Sequence, residues 1–226
     1  MASPRPYEVV TFDCYGTLID WEGGLATALI RAAWRDGVRL ERAAVIRAYM
    51  AAEREVEAGA YRSYREVLAD SARGVAARLG WRLDPARASF LADSLPGWVP
   101  FPDTNAALER LRHAGCTLGI LSNIDDALLT ATRRHFTVPF EIIVTAEQVR
   151  AYKPARPHFD AARGAIGARP WLHVGQGYFH DIVPAREQGI PNAWINRNGE
   201  APSDGGRPDR EFPTLAELAD WLAPAR

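Results

Sequence analysis

The sequence predicts an α/β fold: a Rossmann-like parallel sheet with helices on both faces, interrupted by an inserted all-helical segment. Two observations carry that prediction. Short β-rich runs recur with helical stretches between them, the pattern of parallel strands joined by crossovers. Between the first run and the second lie about a hundred residues with no convincing strand. One right-handed crossover needs far fewer, so the excess reads as an insertion.

The strand candidates are YEVVTF at 7–12, TLGIL at 117–121, FEIIVT at 140–145, WLHV at 171–174 and NAWIN at 192–196. The insertion reads as helices over Gly24–Arg35, Glu41–Glu57, Ser63–Leu79 and Pro85–Ser94, with Asp84-Pro85 suited to an N-cap and a first helical position. Residues 1–20 and 98–226 are therefore assigned to the α/β core and 21–97 to a helical cap over the strand ends, with PGWVPFPD at 96–103 as the returning hinge. Later helices are expected over 104–114, 126–135, 156–167, 181–188 and 214–222. The polar stretch 196–213 has no periodicity and reads as a surface loop.

At 226 residues the chain can bury a substantial core. A formal charge of −1 without a block of like charge offers no footprint for nucleic acid. No stretch approaches the roughly 18 apolar residues of a membrane span. The N-terminal MASPRPYEVV lacks the apolar run of a signal peptide, so a cytoplasmic protein with no membrane partner is expected. Cys14 and Cys116 fall beside apparent strands, as reduced buried thiols would. Neither opens a Cys-x₂-Cys or Cys/His spacing, so no zinc site is expected. Lys153 is the single lysine beside 26 arginines. A chain that uses guanidinium elsewhere and keeps one ammonium points to a place that needs a compact cationic head.

Polar residues cluster at the strand ends, where ligands bind in open α/β sheets. Asp13 follows the first strand and Gly16-Thr17 then turn the chain; Ser122-Asn123 follow the second; Lys153 trails the third. GQGYFHD at 175–181 follows the fourth and brings Gln176 and Asp181 to the same edge. Each residue alone is an ordinary cap or turn residue. Four such clusters in this order point to one catalytic site.

With these motifs the chain resembles the haloacid dehalogenase (HAD) superfamily over essentially its full length, including a helical cap inserted after the first strand. The resemblance implies a covalent nucleophile at Asp13, the motif Ser at Ser122, the motif Lys at Lys153 and the acid of the fourth motif at Asp181. A cation near two carboxylates would keep the nucleophile ionised and offset charge in the transition state.

Two positions separate this chain from the superfamily's phosphatases. Those carry Asp-x-Asp in the first motif, whose second Asp protonates a leaving alkoxide; here Tyr15 stands there. A phenol is a poor acid at neutral pH, whereas halide leaves without a proton. Their fourth motif is Gly-Asp-x-x-x-Asp, whose acids help hold magnesium; here the first is Gln176. The form DCYGT is similar to type II L-2-haloacid dehalogenases, which use no metal. The resemblance thus implies a small carboxylate substrate and no cofactor, with weak magnesium binding at Asp13 and Asp181 left open.

Within that subfamily the resemblance implies a substrate side made of Ser122, Thr17, Gln176, backbone N–H groups around Cys14 and Tyr15, a halide-side Asn123 and a cap arginine. Arg47 in VIRAYM is the candidate, with Arg31, Arg35, Arg54, Arg62 and Arg65 as competitors. Phe159 replaces a tyrosine of the subfamily, and GQGYFH is one residue longer than the corresponding Ser-Ser-Asn run. These departures leave open another small carboxylate, such as one whose strained ring opens at the α-carbon. A magnesium-dependent phosphatase and a scaffold without chemistry are the competing readings, and a homodimer is the candidate assembly. Cys14 as nucleophile is disfavoured because alternation turns it away from Asp13. His180 is read as a surface or hydrogen-bonding residue.

Overall fold

The computed structural model describes residues 6–224. Six parallel strands, β1 (Val9–Phe12), β2 (Thr117–Ser122), β3 (Ile142–Thr145), β4 (Trp171–Gly175), β5 (Asn192–Ile195) and β6 (Arg210–Phe212), lie in the order β3-β2-β1-β4-β5-β6. The helices are α1 (Trp21–Arg35), α2 (Arg42–Glu57), α3 (Tyr64–Arg78), α4 (Phe90–Ser94), α5 (Thr104–His113), α6 (Asp126–Thr132), α7 (Ala146–Val149), α8 (Pro157–Ile166), α9 (Val183–Glu187) and α10 (Leu215–Leu222). The chain divides into two compact units. A helical unit takes in Asp20–Val99 and Ile124–Arg134; an α/β unit takes in the chain through Ile19, Pro100–Asn123 and the chain from His135 onward.

In the α/β unit β1 is central, because all four residues of VVTF are buried and both of its edges are paired, with β2 on one side and β4 on the other. The chain builds outward to β2 and β3 on one side, then to β4, β5 and β6 on the other. Connections leaving a sheet in opposite directions open a crevice at the carboxyl ends of the two strands where they part, here β1 and β4. On one face Val9, Leu121, Val144, Phe159, Ile166 and Trp171 form an apolar layer that includes residues of α8. The returning chain is pinned by Phe101 N–H and Thr104 Oγ1, which both donate to Leu18 O, at 3.1 and 2.8 Å. Arg197 stacks over Phe101 at 3.8 Å from the ring centroid and pairs with Asp103 at 3.2 Å.

Four local features differ from the sequence expectation. The stretch 196–213 contains β6, which pairs in parallel with β5 at the sheet edge. Its three residues, Arg-Glu-Phe, are mostly exposed, so main-chain bonding defines it and no hydrophobic alternation marks it. The expected helix over 85–94 is a 3₁₀ turn, Pro85–Arg87, followed by the short α4. The expected helix over 181–188 begins as a π turn over Tyr178–Ile182, closed by Val183 N–H on Tyr178 O. The short α7, capped by Thr145, falls where no element was expected.

In the helical unit, Asp20 caps α1 by accepting Gly23 N–H at 2.9 Å. Gly24 gives room to Trp98: a Cβ there would lie 2.3 Å from the indole Cγ. A reciprocal Ser63–Glu66 capping box opens α3. The carboxylate of Asp125 then accepts the N–H groups of Tyr64 (2.7 Å) and Arg65 (2.9 Å). Two orphan helix donors meet an anion at the positive end of the helix. That contact, with the packing of α6 on the turn at Leu95–Gly97, places residues 124–134 with the helices although they follow β2.

Asp125→Ala leaves both donors unpartnered in a place 7 % exposed. It should cost about 1–2 kcal/mol, the scale of a lost cap. Urea denaturation at constant pH measures it, and Asp125→Asn should recover part of the loss.

Candidate functional site

The site is built at the parting of β1 and β4. Asp13 directly follows β1, and its N–H bonds to Val174 O at 2.9 Å, which ties it to β4. Lys153 follows α7 and reaches back under the strand ends. Its Nζ donates to Asp13 Oδ1 (3.0 Å), Asp181 Oδ1 (2.5 Å) and Leu121 O (2.8 Å). An ammonium has three donors, and all three are used. Lys153 is 2 % exposed, Asp181 1 % and Asp13 8 %.

Two features of the chain aim that ammonium. Asn123 brackets the Lys153 backbone, its Oδ1 accepting Lys153 N–H at 2.7 Å and its Nδ2 donating to Lys153 O at 3.1 Å. This bonding uses one N–H and one lone pair of the Asn123 amide and leaves one N–H for a ligand. Thr17 holds the other oxygen of Asp13: its hydroxyl donates to Asp13 Oδ2 at 2.9 Å and accepts Gln176 N–H at 2.8 Å. Gly16, at φ 100°, provides the turn that brings Thr17 back.

Asp181 is seated by glycines. A Cβ at Gly175 would lie 2.4 Å from Asp181 Cβ, and one at Gly177 would lie 2.8 Å from Asp181 Oδ2. Both glycines of GQG therefore clear the volume the carboxyl fills. The π turn over Tyr178–Ile182, which holds one residue more than an α turn, carries Asp181 beside the end of β4.

Burial pushes the Asp13 carboxyl up to about 6, with Asp181's charge adding and Lys153 opposing. Burial would also raise Asp181, yet the ammonium of Lys153 and the contact with His173 outweigh it and hold Asp181 well below the carboxylate range. Burial would lower Lys153; the charges of Asp13 and Asp181 reverse that and raise it. At neutral pH both carboxyls are ionised, and the cation lies between them.

The other expected site residues fall as follows. Ser122 is buried at the end of β2, and its Oγ has no hydrogen-bond partner among the described residues. Tyr15 is partly exposed at the turn after Asp13, and Cys14 is buried with its thiol pushed up first by burial and then by Asp13. Gln176 is half-buried and its carbonyl accepts Trp194 Nε1–H at 2.8 Å. Phe159 stands in the apolar layer beneath the sheet, edge-on to His173 at 5.1 Å. Arg47 is exposed on α2 of the helical unit.

Four residues that sequence reasoning passed over also shape this site. His158 Nε2 lies 3.2 Å from Ser122 O, and burial, then Lys153's charge, pushes its pKa down to about 3, so it is neutral. His173, Thr11 and Trp171 form a hydrogen-bonded chain behind Asp181. The signal was available: Thr11 and His173 are polar residues within apolar strand runs, and buried polar groups need partners. Among the described residues, no group of three or more His, Cys, Asp or Glu is gathered to hold a metal ion. No helix among them is long and apolar enough to cross a membrane.

The model of haloacid dehalogenase-like hydrolases matches residues 7–189. The chain is similar to (S)-2-haloacid dehalogenase H-109 of Pseudomonas putida, 28 % identical over 228 residues that cover 96 % of this chain and 99 % of the relative. Its structure is similar to the crystal structure of an L-2-haloacid dehalogenase at 25 % identity, with a TM-score of 0.76 and coverage of 96 % and 98 %. The L-2-haloacid dehalogenase from Xanthobacter autotrophicus shares the fold at 22 % identity, with a TM-score of 0.80 and coverage of 96 % and 98 %.

Removing the ammonium strands two buried carboxylates. Lys153→Met should destabilise the fold by about 3–5 kcal/mol near neutral pH. In that variant both carboxyls have folded pKa values above their unfolded ones, so the native state binds more protons than the unfolded state and stability falls as pH rises. Urea midpoints from pH 4 to 8 should therefore show the variant closest to the parent at the acid end. A deficit that is constant or smaller at pH 8 would contradict this electrostatic account.

Proposed function

Since this chain belongs to the haloacid dehalogenase-like hydrolase family, we propose that it hydrolyses small 2-substituted carboxylic acids through an ester on Asp13, with 2-haloacids as the favoured substrates. One observation carries the reading: a buried Asp at the end of β1 shares a single ammonium with Asp181, while Tyr15 stands where an alkoxide leaving group would require an acid. Cytoplasmic action on a small molecule, as a monomer or homodimer, belongs to the same reading.

In this mechanism an oxygen of Asp13 attacks the α-carbon in line with the departing group. The new C–O bond forms as the carbon–halogen bond breaks, and halide takes the electron pair without needing a proton. Ser122 Oγ and backbone N–H groups around Cys14 and Tyr15 receive the substrate carboxylate, and the remaining Nδ2–H of Asn123 faces the halide. Preorganised donors of this kind stabilise developing charge best where water is scarce. Water oriented by Asp181 then attacks Cγ of the ester and gives that carboxylate its proton; the Cγ–O bond to the product breaks, the 2-hydroxy acid leaves with the proton, and Asp13 is returned with one new oxygen.

The donor set at Asp13 and Asp181 supports the metal-free form of this chemistry. Both Oδ1 atoms converge on an ammonium, and an amide, Gln176, holds the place of a third acid. Magnesium prefers several hard, anionic oxygens. Purified protein should release halide from (S)-2-chloropropionate equally with and without chelator. Strong magnesium-dependent hydrolysis of p-nitrophenyl phosphate with no halide release would overturn the proposal. A single turnover in ¹⁸O-water with enzyme in excess should leave the product almost unlabelled and place the label on Asp13. Fully labelled product would mean direct attack by water.

Asp13 must be ionised to attack. Its carboxyl lies near about 6, so kcat/KM should fall as pH drops through that value, an acid limb read from initial rates between pH 4.5 and 8. Lys153→Arg should lose activity on the order of a hundredfold, because a planar fork cannot place three donors where one ammonium does. An arginine variant that turns over like the parent would show that any cation suffices.

A further inference from the structure

Behind Asp181, on the face of the sheet covered by α8, the polar chain noted above enters an otherwise apolar layer. Thr11 on β1 and His173 on β4 are register partners in adjacent parallel strands, and Trp171 lies two residues before His173 on the same face. Trp171 Nε1–H lies 2.7 Å from Thr11 Oγ1, Thr11 Oγ1 lies 2.9 Å from His173 Nδ1, and His173 Nε2 lies 3.2 Å from Asp181 Oδ1. His173 and Thr11 are both completely buried.

Donor and acceptor chemistry gives this chain one direction. An indole N–H only donates, so the Thr11 oxygen accepts from Trp171 and its single proton is free for His173 Nδ1. An ionised carboxylate only accepts, so the proton of His173 sits on Nε2 and points at Asp181. The carboxylate end requires this tautomer, and the threonine end, with its proton free, suits it. Burial holds the imidazole below its usual pKa, which keeps it neutral. Asp181 Oδ1 thus receives two donors, Lys153 and His173, while Oδ2, packed against Gly175 and Gly177, has no hydrogen bond among the described residues.

We propose that His173, oriented by Thr11, is a positioning residue for Asp181: it fixes Oδ1 so that Oδ2 is presented to the water that hydrolyses the ester. The proposal rests on the hydrolase reading above and adds a separation of its two steps. Asp13 attacks without help from His173, so losing His173 should slow ester hydrolysis and spare ester formation. Nothing in the chain transfers a proton: Trp171, Thr11 and His173 keep theirs throughout, and the water's proton goes to Asp181 Oδ2 and from there to the departing oxygen of the 2-hydroxy acid as the Cγ–O bond breaks.

Two measurements test it. The first needs no turnover. In ¹⁵N-histidine-labelled protein, His173 should show a neutral ring protonated at Nε2 from pH 5.5 to 8, and Thr11→Val should broaden or redistribute that tautomer while Thr11→Ser preserves it. A doubly protonated ring, or an Nδ1–H tautomer in the parent, would overturn the proposal.

The second is rapid-quench with (S)-2-chloropropionate. In His173→Leu the halide burst should stay within about threefold of the parent and ester hydrolysis should fall by about tenfold or more, the scale of one lost hydrogen bond to a charged group. His173→Gln, which can present a donor near the Nε2 position, should restore most of the hydrolysis. Equal slowing of both steps in His173→Leu, or no rescue by Gln in a variant as stable as the parent, would refute the positioning role. A parent that forms no ester with any 2-haloacid would instead remove the hydrolase reading and with it the hydrolytic role, leaving the resonance of His173 to decide whether it holds Asp181 at all.

Discussion

The site depends on one buried ammonium. Nζ of Lys153 has three protons and three acceptors, two of them carboxylates, and it is sealed from water. Burying such a group is favourable only when every donor is met, because desolvation otherwise exceeds the attraction gained. A carbonyl from β2, a carboxylate after β1 and a carboxylate after β4 must therefore converge on one point. Three strand ends that the topology brings side by side are locked to each other by a single charge. The one lysine in a chain otherwise served by arginine is thereby explained, since three convergent acceptors around a point suit an ammonium and not a fork.

Local sequence carries the burden of aiming. Asn123 fastens the main chain on both sides of Lys153, so the stem leaves a fixed base. Thr17 turns back from the glycine at 16 to brace Asp13 while catching the N–H of Gln176. Gly175 and Gly177 remove the volume that would keep Asp181 away. Preorganisation here consists of backbone fastened by side chains and side chains admitted by missing methyl groups. Such a site has little freedom to reorganise when charge moves, the condition under which fixed dipoles and charges stabilise a transition state best.

Much of this was legible from residue order. The five apolar runs correspond to strands β1 to β5, because a parallel strand buried on both faces must be apolar throughout. Asp13 and Ser122 were visible as polar residues at strand ends, and Lys153 and Asp181 as polar residues several positions beyond them. β6 was not legible, since an edge strand of three residues held by its main chain leaves no pattern in side chains. The grouping of 124–134 with the helices was hidden for another reason: it comes with contacts distant in sequence, Asp125 meeting the start of α3 and α6 packing on Leu95–Gly97, and no local signal encodes those. Asn123 shows the limit of reasoning from residue type, as one N–H and the carbonyl of its amide are spent on the backbone of Lys153. Thr11 and His173 could have been found by asking what a threonine and a histidine do inside buried strands.

The two carboxyls illustrate how one cation serves two chemical demands. They share an ammonium, yet burial leaves Asp13 raised to about 6 while Asp181 is held well below the carboxylate range. The difference lies in their remaining neighbours. Asp181 is nearer to the ammonium and also receives His173, so its negative charge is met twice on one oxygen. Asp13 receives Lys153 on one oxygen and only a hydroxyl on the other. A less completely satisfied anion is the more reactive one, and a more completely satisfied anion is the better fixed. Environments that push two acids apart in this way divide their roles without any difference in residue type. The division makes Asp13 the less fully satisfied and Asp181 the more firmly held of the two carboxylates.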